Sequence, residues 1–235
     1  MILSVIIPVY NEINTLRKIL EKIEKVPIEK EIIIVDDCST DGTKEFLNKI
    51  KKKKYKIFFH KKNSGKGSAI ITASKHLSGK ICIIQDADLE YNPQDYLKII
   101  NPILNKEFKV VYGSRILNKK NKIYKTFTSS FRIFANFFLT TFSNFINKQN
   151  LTDAHTCYKA FEISIFKKLH LEEKRFNFCP EVTTKLSNLK INILEVPISY
   201  KGRTGAEGKK ISFWDGFEAI FTILKYKYRF LCKKI

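Results

Sequence analysis

The stretch Ile81-Cys82-Ile83-Ile84-Gln85-Asp86-Ala87-Asp88-Leu89-Glu90 decides how the rest of the chain is read. Its first half is a short apolar run rich in isoleucine, the pattern of a buried strand. Its second half sets carboxylates at Asp86, Asp88 and Glu90 directly after that strand. In an extended segment alternate side chains share a face, so the three acids would point into one space. Like charges held that close call for a counter-ion, and a hard divalent cation with oxygen ligands, Mg²⁺ or Mn²⁺, supplies one. Alone, an Asp-x-Asp string also describes a solvated acidic turn, so its meaning depends on what surrounds it.

Three strand-like runs precede this one, Leu3–Ile7 (stopped by Pro8), Glu31–Val35 and Lys56–His60, and a fifth follows at Lys109–Gly113. Helix-like stretches separate them. Asn14–Lys25 carries Leu16, Ile19, Leu20 and Ile23 at helical spacing, and Ser39–Lys51 carries Phe46, Leu47 and Ile50 on one face. Ser68–Leu77 and, after Pro93, Gln94–Leu104 complete the set. This alternation implies an α/β fold, a Rossmann-like, mostly parallel sheet with helices on both faces. Ligands of such sheets bind beyond the carboxyl ends of the strands. Pro8–Glu12, Asp36-Asp37, Asn63–Gly67 and Asp86–Glu90 all fall there, so four polar clusters converge on one edge. A carboxylate at Asp36-Asp37 can accept hydrogen bonds from a ribose or a base edge, or cap the next helix together with Ser39 and Asp41. Asn63-Ser64-Gly65-Lys66-Gly67 lacks the spacing of a Walker loop, and its glycines suit a tight turn into a helix.

With 235 residues, 44% of them hydrophobic, the chain can build one α/β domain with a substantial core. Five scattered cysteines (Cys38, Cys82, Cys157, Cys179, Cys232), odd in number and without a Cys-x-x-Cys pair, argue against a disulfide framework or zinc site and fit a reducing compartment. The first residues lack the features of an export signal, which predicts a cytoplasmic protein. A net charge of +20 invites nucleic acid, an anionic membrane or phosphorylated small molecules as partners. Only six of the 43 basic residues are Arg, however, so the lysines read as a solvated surface and the arginines as the candidates for phosphate recognition. No nucleic-acid recognition motif accompanies the charge. No Ser-His-Asp or Cys-His arrangement is visible in the spacing either, and His155 beside Asp153 suggests a structural hydrogen bond.

The second half of the chain changes character. Phe127, Phe131, Phe134, Phe138, Phe142 and Phe145 recur on one helical face, with Asn136, Thr140, Thr141 and Asn144 on the other. Such a helix either lies in a membrane interface or buries its aromatic stripe against the domain. It is too short and too polar to span a bilayer, which takes about 20 predominantly apolar residues. A last amphipathic stretch, Phe213–Phe230, mixes bases and aromatics in a way suited to lipid headgroups. The expected division is a catalytic domain over residues 1–210, including the aromatic helix at about 127–147, and a terminal amphipathic helix over 211–235.

Together these residues resemble glycosyltransferase family 2, in its dolichyl-phosphate mannosyltransferase-like branch. The resemblance runs in order through Val5–Glu12, Ile33–Gly42, Asn63–Gly67, Gln85–Glu90, Gly113-Ser114-Arg115, Glu195–Tyr200 and Arg203–Lys209. It implies a GT-A fold and an inverting, metal-dependent transfer from a nucleoside diphosphate sugar of the GDP-mannose or UDP-hexose type. The implied acceptor is a polyprenyl (dolichyl or undecaprenyl) phosphate; the alternative within the family is a saccharide hydroxyl in surface polysaccharide. By the family pattern Pro8, Tyr10, Glu12, Val35 and Asp37 hold the nucleoside, and Asp86, Ala87 and Asp88 meet the diphosphate and its Mg²⁺ or Mn²⁺. Glu90 stands as a third metal ligand and Lys66 near the donor phosphates. Arg203 and Lys209 contact phosphate from a Gly-rich loop that closes over the donor, while Arg115 and Arg132 take the acceptor phosphate. Catalysis is therefore expected of Asp88, Arg115, Arg203 and Lys209. A phosphate acceptor arrives anionic; a hydroxyl would need a base, for which Asp153 is the candidate. Many relatives carry spanning helices at the C-terminus, whereas this chain has an amphipathic one. Membrane association, at the cytoplasmic face, is thus expected to be peripheral or through a partner protein.

Overall fold

The computed structural model describes residues 1–50, 54–118, 127–203 and 214–232, with backbone alone over 127–132. The first half follows the expected alternation: β1 (Leu3–Val9), α1 (Ile13–Glu24), β2 (Lys30–Asp36), α2 (Thr43–Ile50), β3 (Tyr55–Phe59), α3 (Lys66–Ser74) and β4 (Ile81–Ile84). A 3-10 turn at Pro93–Asp95 opens α4 (Tyr96–Leu104), and β5 (Val110–Ser114) follows. Beyond it come α5 (Phe127–Asn147), β6 (Lys159–Glu162), α6 (Ile163–Lys168), α7 (Phe178–Asn188), β7 (Ile193–Pro197) and α8 (Trp214–Cys232).

The seven strands form one sheet in the order β3-β2-β1-β4-β6-β5-β7. β1 to β4 are mutually parallel where they pair, β6 runs antiparallel to both β4 and β5, and β7 is parallel to β5. All seven residues of β1 are buried, as a central strand covered on both faces requires. α1 packs through Leu16, Ile19, Leu20 and Ile23, the four residues its periodicity selects. Each such side chain contributes roughly 1.5–3 kcal/mol on leaving water.

Two local expectations need correction, and one strand is added. Pro8 does not stop β1, which continues to Val9; β4 ends at Ile84, so past Ile6 the strand is paired only with β2 and a residue without an N–H is tolerated. α3 begins at Lys66, two residues before Ser68, because Gly65 takes the left-handed φ of +92° that turns the chain into the helix. β6 has only four residues and starts on a lysine, so neither length nor alternation marks it in the sequence.

α5 lies with its polar side inward. Among its described side chains Thr140, Ser143 and Asn147 are the buried ones, and Asn147 Nδ2 donates to Ser143 Oγ and to Thr184 Oγ1 of α7. Phe134, Phe137, Phe138 and Phe145 are 65%, 67%, 51% and 82% exposed. Among the described residues of the aromatic stripe, Phe134, Phe138 and Phe145 are therefore exposed and Phe142 is half-buried. α8 packs against α7 and α5 and adds Trp214, Phe217, Phe221 and Tyr228 to the same exposed class. Among the described residues no helix is long and apolar enough to cross a membrane.

Candidate active site

β4 delivers Gln85, whose N–H donates to the Ile6 carbonyl, and the chain then leaves the sheet at Asp86. Residues 87–90 are turn, not strand, with Leu89 at a φ of +63°. The extended segment expected to set three acids on one face is thus absent, and the carboxylates diverge. Asp86 Oδ1 lies 2.5 Å from Lys66 Nζ. Asp88 Oδ1 accepts the Glu90 N–H, and its Oδ2 lies 2.9 Å from Arg203 Nη2. Glu90 turns toward the 200–203 segment: its Oε2 accepts the Tyr200 hydroxyl at 2.8 Å, its Oε1 the Arg203 N–H at 2.8 Å, and its carbonyl the Lys201 N–H. Glu90 therefore anchors that segment through both of its carboxylate oxygens. Among the described residues no three His, Cys, Asp or Glu side chains gather into a metal-holding group.

Two carboxylates on one turn do suit a hard cation that draws its remaining ligands from phosphate and water. Electrostatics agrees. Burial, then the charges of Asp86 and Glu90, pushes the Asp88 carboxyl up to about 7 against the opposing pull of Arg203. Burial and like charge thus disfavour the ionised form of Asp88, and Asp86 and Asp88 are the residues that would hold a cation, whose charge would favour that form. Arg203 also reaches Glu12, with Nη1 3.1 Å from Oε1. Glu12 follows β1 and Asp88 follows β4, so this one guanidinium spans the carboxyl ends of two adjacent strands. Burial alone would lower the Lys66 ammonium, but Asp86 overrides it and keeps the group charged.

The Asn63–Gly67 loop is built differently from a phosphate cradle. Asp37 takes the Ser64 and Gly65 N–H groups and the His60 ring nitrogen, at 2.6–3.1 Å. The next N–H groups, of Gly67 and Ser68, donate to the carbonyls of Arg175 and Lys174. Two amides of the first turn of α3 are thus taken by a strap over residues 172–175, and the Lys66 side chain turns to Asp86. The strap lies so close that a Cβ on Gly67 would meet the Glu173 carbonyl oxygen at 2.0 Å. It is held in turn by the buried Glu181 carboxylate, which accepts the N–H groups of Glu172 and Glu173. Asp37 thus shapes the loop, while buried Asp36 keeps one oxygen, Oδ1, without a hydrogen-bond partner. Of the other nucleoside candidates, Pro8 and Val35 are paired neighbours in β1 and β2, Ala87 is buried in the turn, and Tyr10 lies half-exposed beyond β1.

Arg115, at the end of β5, and Asp153 form a fork: Nε to Oδ2 and Nη2 to Oδ1, both 2.7 Å, with the Arg115 N–H adding a third bond. Burial pushes the fully buried Asp153 carboxyl up, but the Arg115 charge and bonds outweigh it and hold it below the usual carboxylate range. The proposed acceptor-side arginine and the proposed base are therefore partners. Asp153 also takes Asn136 of α5 at 3.4 Å, not His155, which corrects the expected His–Asp bond. Burial, then Lys159, pushes the His155 ring down to about 4, so it is neutral at pH 7. Two further residues place this fork. Glu195 on β7 accepts the N–H groups of Thr152 and Asp153, and fully buried Lys159 donates to the Ala154 and Thr156 carbonyls. Glu195 and Tyr200 stand within a sequence motif that assigns them no role. Lys159 and the strap carry no sequence signal. Lys209 and the Arg132 side chain lie outside the described residues.

The parallel half-sheet, the carboxylate turn at the end of β4 and the Lys66 and Arg203 cations facing it define a class, that of GT-A glycosyltransferases. Residues 4–170 match the sequence model of the family described as Glycosyl transferase family 2, and the chain belongs to that family. A UDP-N-acetylglucosamine–dolichyl-phosphate N-acetylglucosaminyltransferase of Methanococcus voltae is 29% identical over 96% of each chain. Dolichol-phosphate mannosyltransferase of Pyrococcus furiosus is 36% identical over 48% of this chain and 32% of its own length. Among solved structures, glucosyl-3-phosphoglycerate synthase of Mycobacterium tuberculosis, in complex with Mn²⁺, UDP and phosphoglyceric acid, shares the fold. It superposes with a TM-score of 0.72 at 14% identity, covering 96% of this chain and 78% of that one.

Proposed function

We propose that this chain is an inverting transferase that moves a hexose or N-acetylhexosamine from a nucleoside diphosphate sugar to the phosphate of a dolichyl-type polyprenyl phosphate. A uridine donor is favoured by the relative matched along its whole length. The carrying observation is the fork between Arg115 and Asp153. A saccharide hydroxyl needs a base to remove its proton, and the residue best placed in sequence for that task is buried, ion-paired and held ionised at low proton affinity. A phosphate oxygen is already anionic and attacks without one.

Asp86 and Asp88 would hold the cation, Mg²⁺ or Mn²⁺, which supplies charge neutralisation to the donor diphosphate. Arg203 faces the same space, and its guanidinium can stabilise the negative charge that builds on the departing nucleoside diphosphate. Lys66 balances Asp86 from the α3 side. Arg115 marks the acceptor side, its orientation set by Asp153, and Lys209 belongs to the donor loop by the family pattern. The exposed aromatic faces of α5 and α8 would place this edge against the cytoplasmic membrane surface, where the acceptor resides. The test is direct. The chain is incubated with UDP-N-acetylglucosamine, UDP-glucose or GDP-mannose, Mn²⁺ and either a short polyprenyl phosphate or an oligosaccharide. Lipid-linked sugar with one donor is the expected product, and glycosylation of the oligosaccharide alone would overturn the reading.

A further inference from the structure

Tyr200 stands between the two arginines of the site: its ring and hydroxyl both meet Arg115, and its hydroxyl also meets Glu90, which anchors Arg203. Its ring packs under Arg115, whose guanidinium carbon lies 5.2 Å from the ring centroid. Tyr91 closes the other side edge-on at 5.2 Å, and a backbone bridge between Tyr91 and Tyr200 fixes the spacing. Its hydroxyl points toward the donor half, donating to Glu90 Oε2 at 2.8 Å. Glu90 Oε1 accepts the backbone N–H of Arg203, and from that anchored residue the guanidinium reaches Asp88 and Glu12.

We propose that Tyr200 is a positioning residue that sets the donor and acceptor halves relative to each other, the hydroxyl acting through Glu90 on Arg203 and, together with the ring, directly on Arg115. The acceptor arm rests on the reading of Arg115 as the acceptor-phosphate side; the donor arm does not. Phe separates the ring from the hydroxyl. Tyr200→Phe keeps the ring beneath Arg115 but takes the hydroxyl away from both Glu90 and Arg115, so the anchor of Arg203 loosens and Arg115 keeps the ring contact. Tyr200→Leu removes the ring as well and with it the cation–π contact.

The experiment uses the full chain and two readouts. Calorimetry measures binding of UDP and of GDP with Mn²⁺, which requires no acceptor; steady-state kinetics measure the KM for a short polyprenyl phosphate at saturating donor. Tyr200→Phe should weaken nucleoside diphosphate binding by about tenfold, the loss of one hydrogen bond to a charged group, and raise the acceptor KM by about threefold. Tyr200→Leu should show the same donor loss and raise the acceptor KM by about fivefold beyond that of Tyr200→Phe, so Phe rescues part of the acceptor constant and none of the donor loss. Unchanged nucleotide binding in Tyr200→Phe overturns the proposal. So does an equal weakening of both constants in the two variants with a lowered unfolding temperature, which is what a purely structural residue would give. If the wild type binds nucleotide but turns over no polyprenyl phosphate, the proposed function fails while the binding arm still decides the link from Tyr200 to Arg203.

Discussion

Arg203 Nη2 lies 2.9 Å from Asp88 Oδ2, although 115 residues of chain separate them. The same guanidinium holds Glu12, so it closes a circuit between the end of β1, the turn after β4 and the 200–203 segment. A lysine keeps the charge but offers one compact ammonium, which cannot hold two carboxylates in a fixed fork. Arg203→Lys should therefore lower kcat/KM by about 10–100-fold and Arg203→Ala by about 10²–10³-fold, the scale seen when one preorganised charge partner is removed. Because the side chain is partly exposed, the unfolding temperature should move little. Activity of Arg203→Ala within threefold of wild type would remove this residue from the mechanism.

The strap makes a sharp steric prediction. In Gly67→Ala the new Cβ would sit 2.0 Å from the Glu173 carbonyl oxygen, and that oxygen is backbone. The strap and α3 must separate, at a cost of about 3 kcal/mol and a loss of roughly 6–12 °C in unfolding temperature. Gly216 in α8 is the control, since a Cβ added there would meet nothing within 4 Å. Gly216→Ala should gain about 0.5–1 kcal/mol from helix propensity alone. Scanning calorimetry on the two variants checks both signs.

The contrast between these two glycines shows what the sequence discloses and what it withholds. β1, α1, β2 and β4 announce themselves, because a buried parallel strand or a one-sided helix leaves its period in the residue order. The convergence of Glu12, Asp86 and Asp88 follows from topology, since strand ends in a parallel sheet share an edge. The role of Glu90 escapes a local reading because its partners, Tyr200 and Arg203, lie 110 and 113 residues away, and no local period reports a contact of that range. The Phe stripe of α5 is legible as a stripe but not in its direction. Only the small polar residues Thr140, Ser143 and Asn147, buried on the side that meets α7, show which face turns inward. Lys159 and Glu181 are charges in the core, which pattern reading assigns to the surface; each is buried because backbone groups surround it.

At the opposite edge of the sheet, Glu31 pins β1, β2 and β3 through Ser4, Lys56 and Ser78. Burial would raise its carboxyl, but the bonds from Lys56, Ser4 and Ser78 prevail and bring it down to about 2. A depressed carboxylate contributes stability that is fully present above its unfolded value of 4.5 and is lost as pH falls toward about 2. Glu31→Gln should therefore cost about 2–3 kcal/mol at pH 7, and the difference from wild type should close between pH 4.5 and 2. His155 titrates over an overlapping range in both proteins and cancels in the difference. Urea unfolding across pH gives the curve, and a pH-independent gap would show that the Glu31 charge is not what stabilises.

The exposed faces of α5 and α8 yield the last prediction. Phe134, Phe145 and Phe221 are 65%, 82% and 69% exposed, so replacing them with Glu removes no core contact. Unfolding temperature should fall by no more than about 6 °C, since three surface changes of this kind cost under about 1.5 kcal/mol together. Membrane affinity should not survive so well. Each Phe inserted at an interface contributes roughly 1.5–3 kcal/mol, so the triple variant should lose at least about 10³-fold in binding to vesicles containing anionic phospholipid. Charge on α8 is partly engaged, Lys225 with Glu173 and Arg229 with Glu172, so wild-type binding should weaken only modestly as salt is raised. Cosedimentation separates the two contributions. A triple variant that binds vesicles like wild type would mean that these rings serve a protein partner, because a surface this apolar is not left to water without a use.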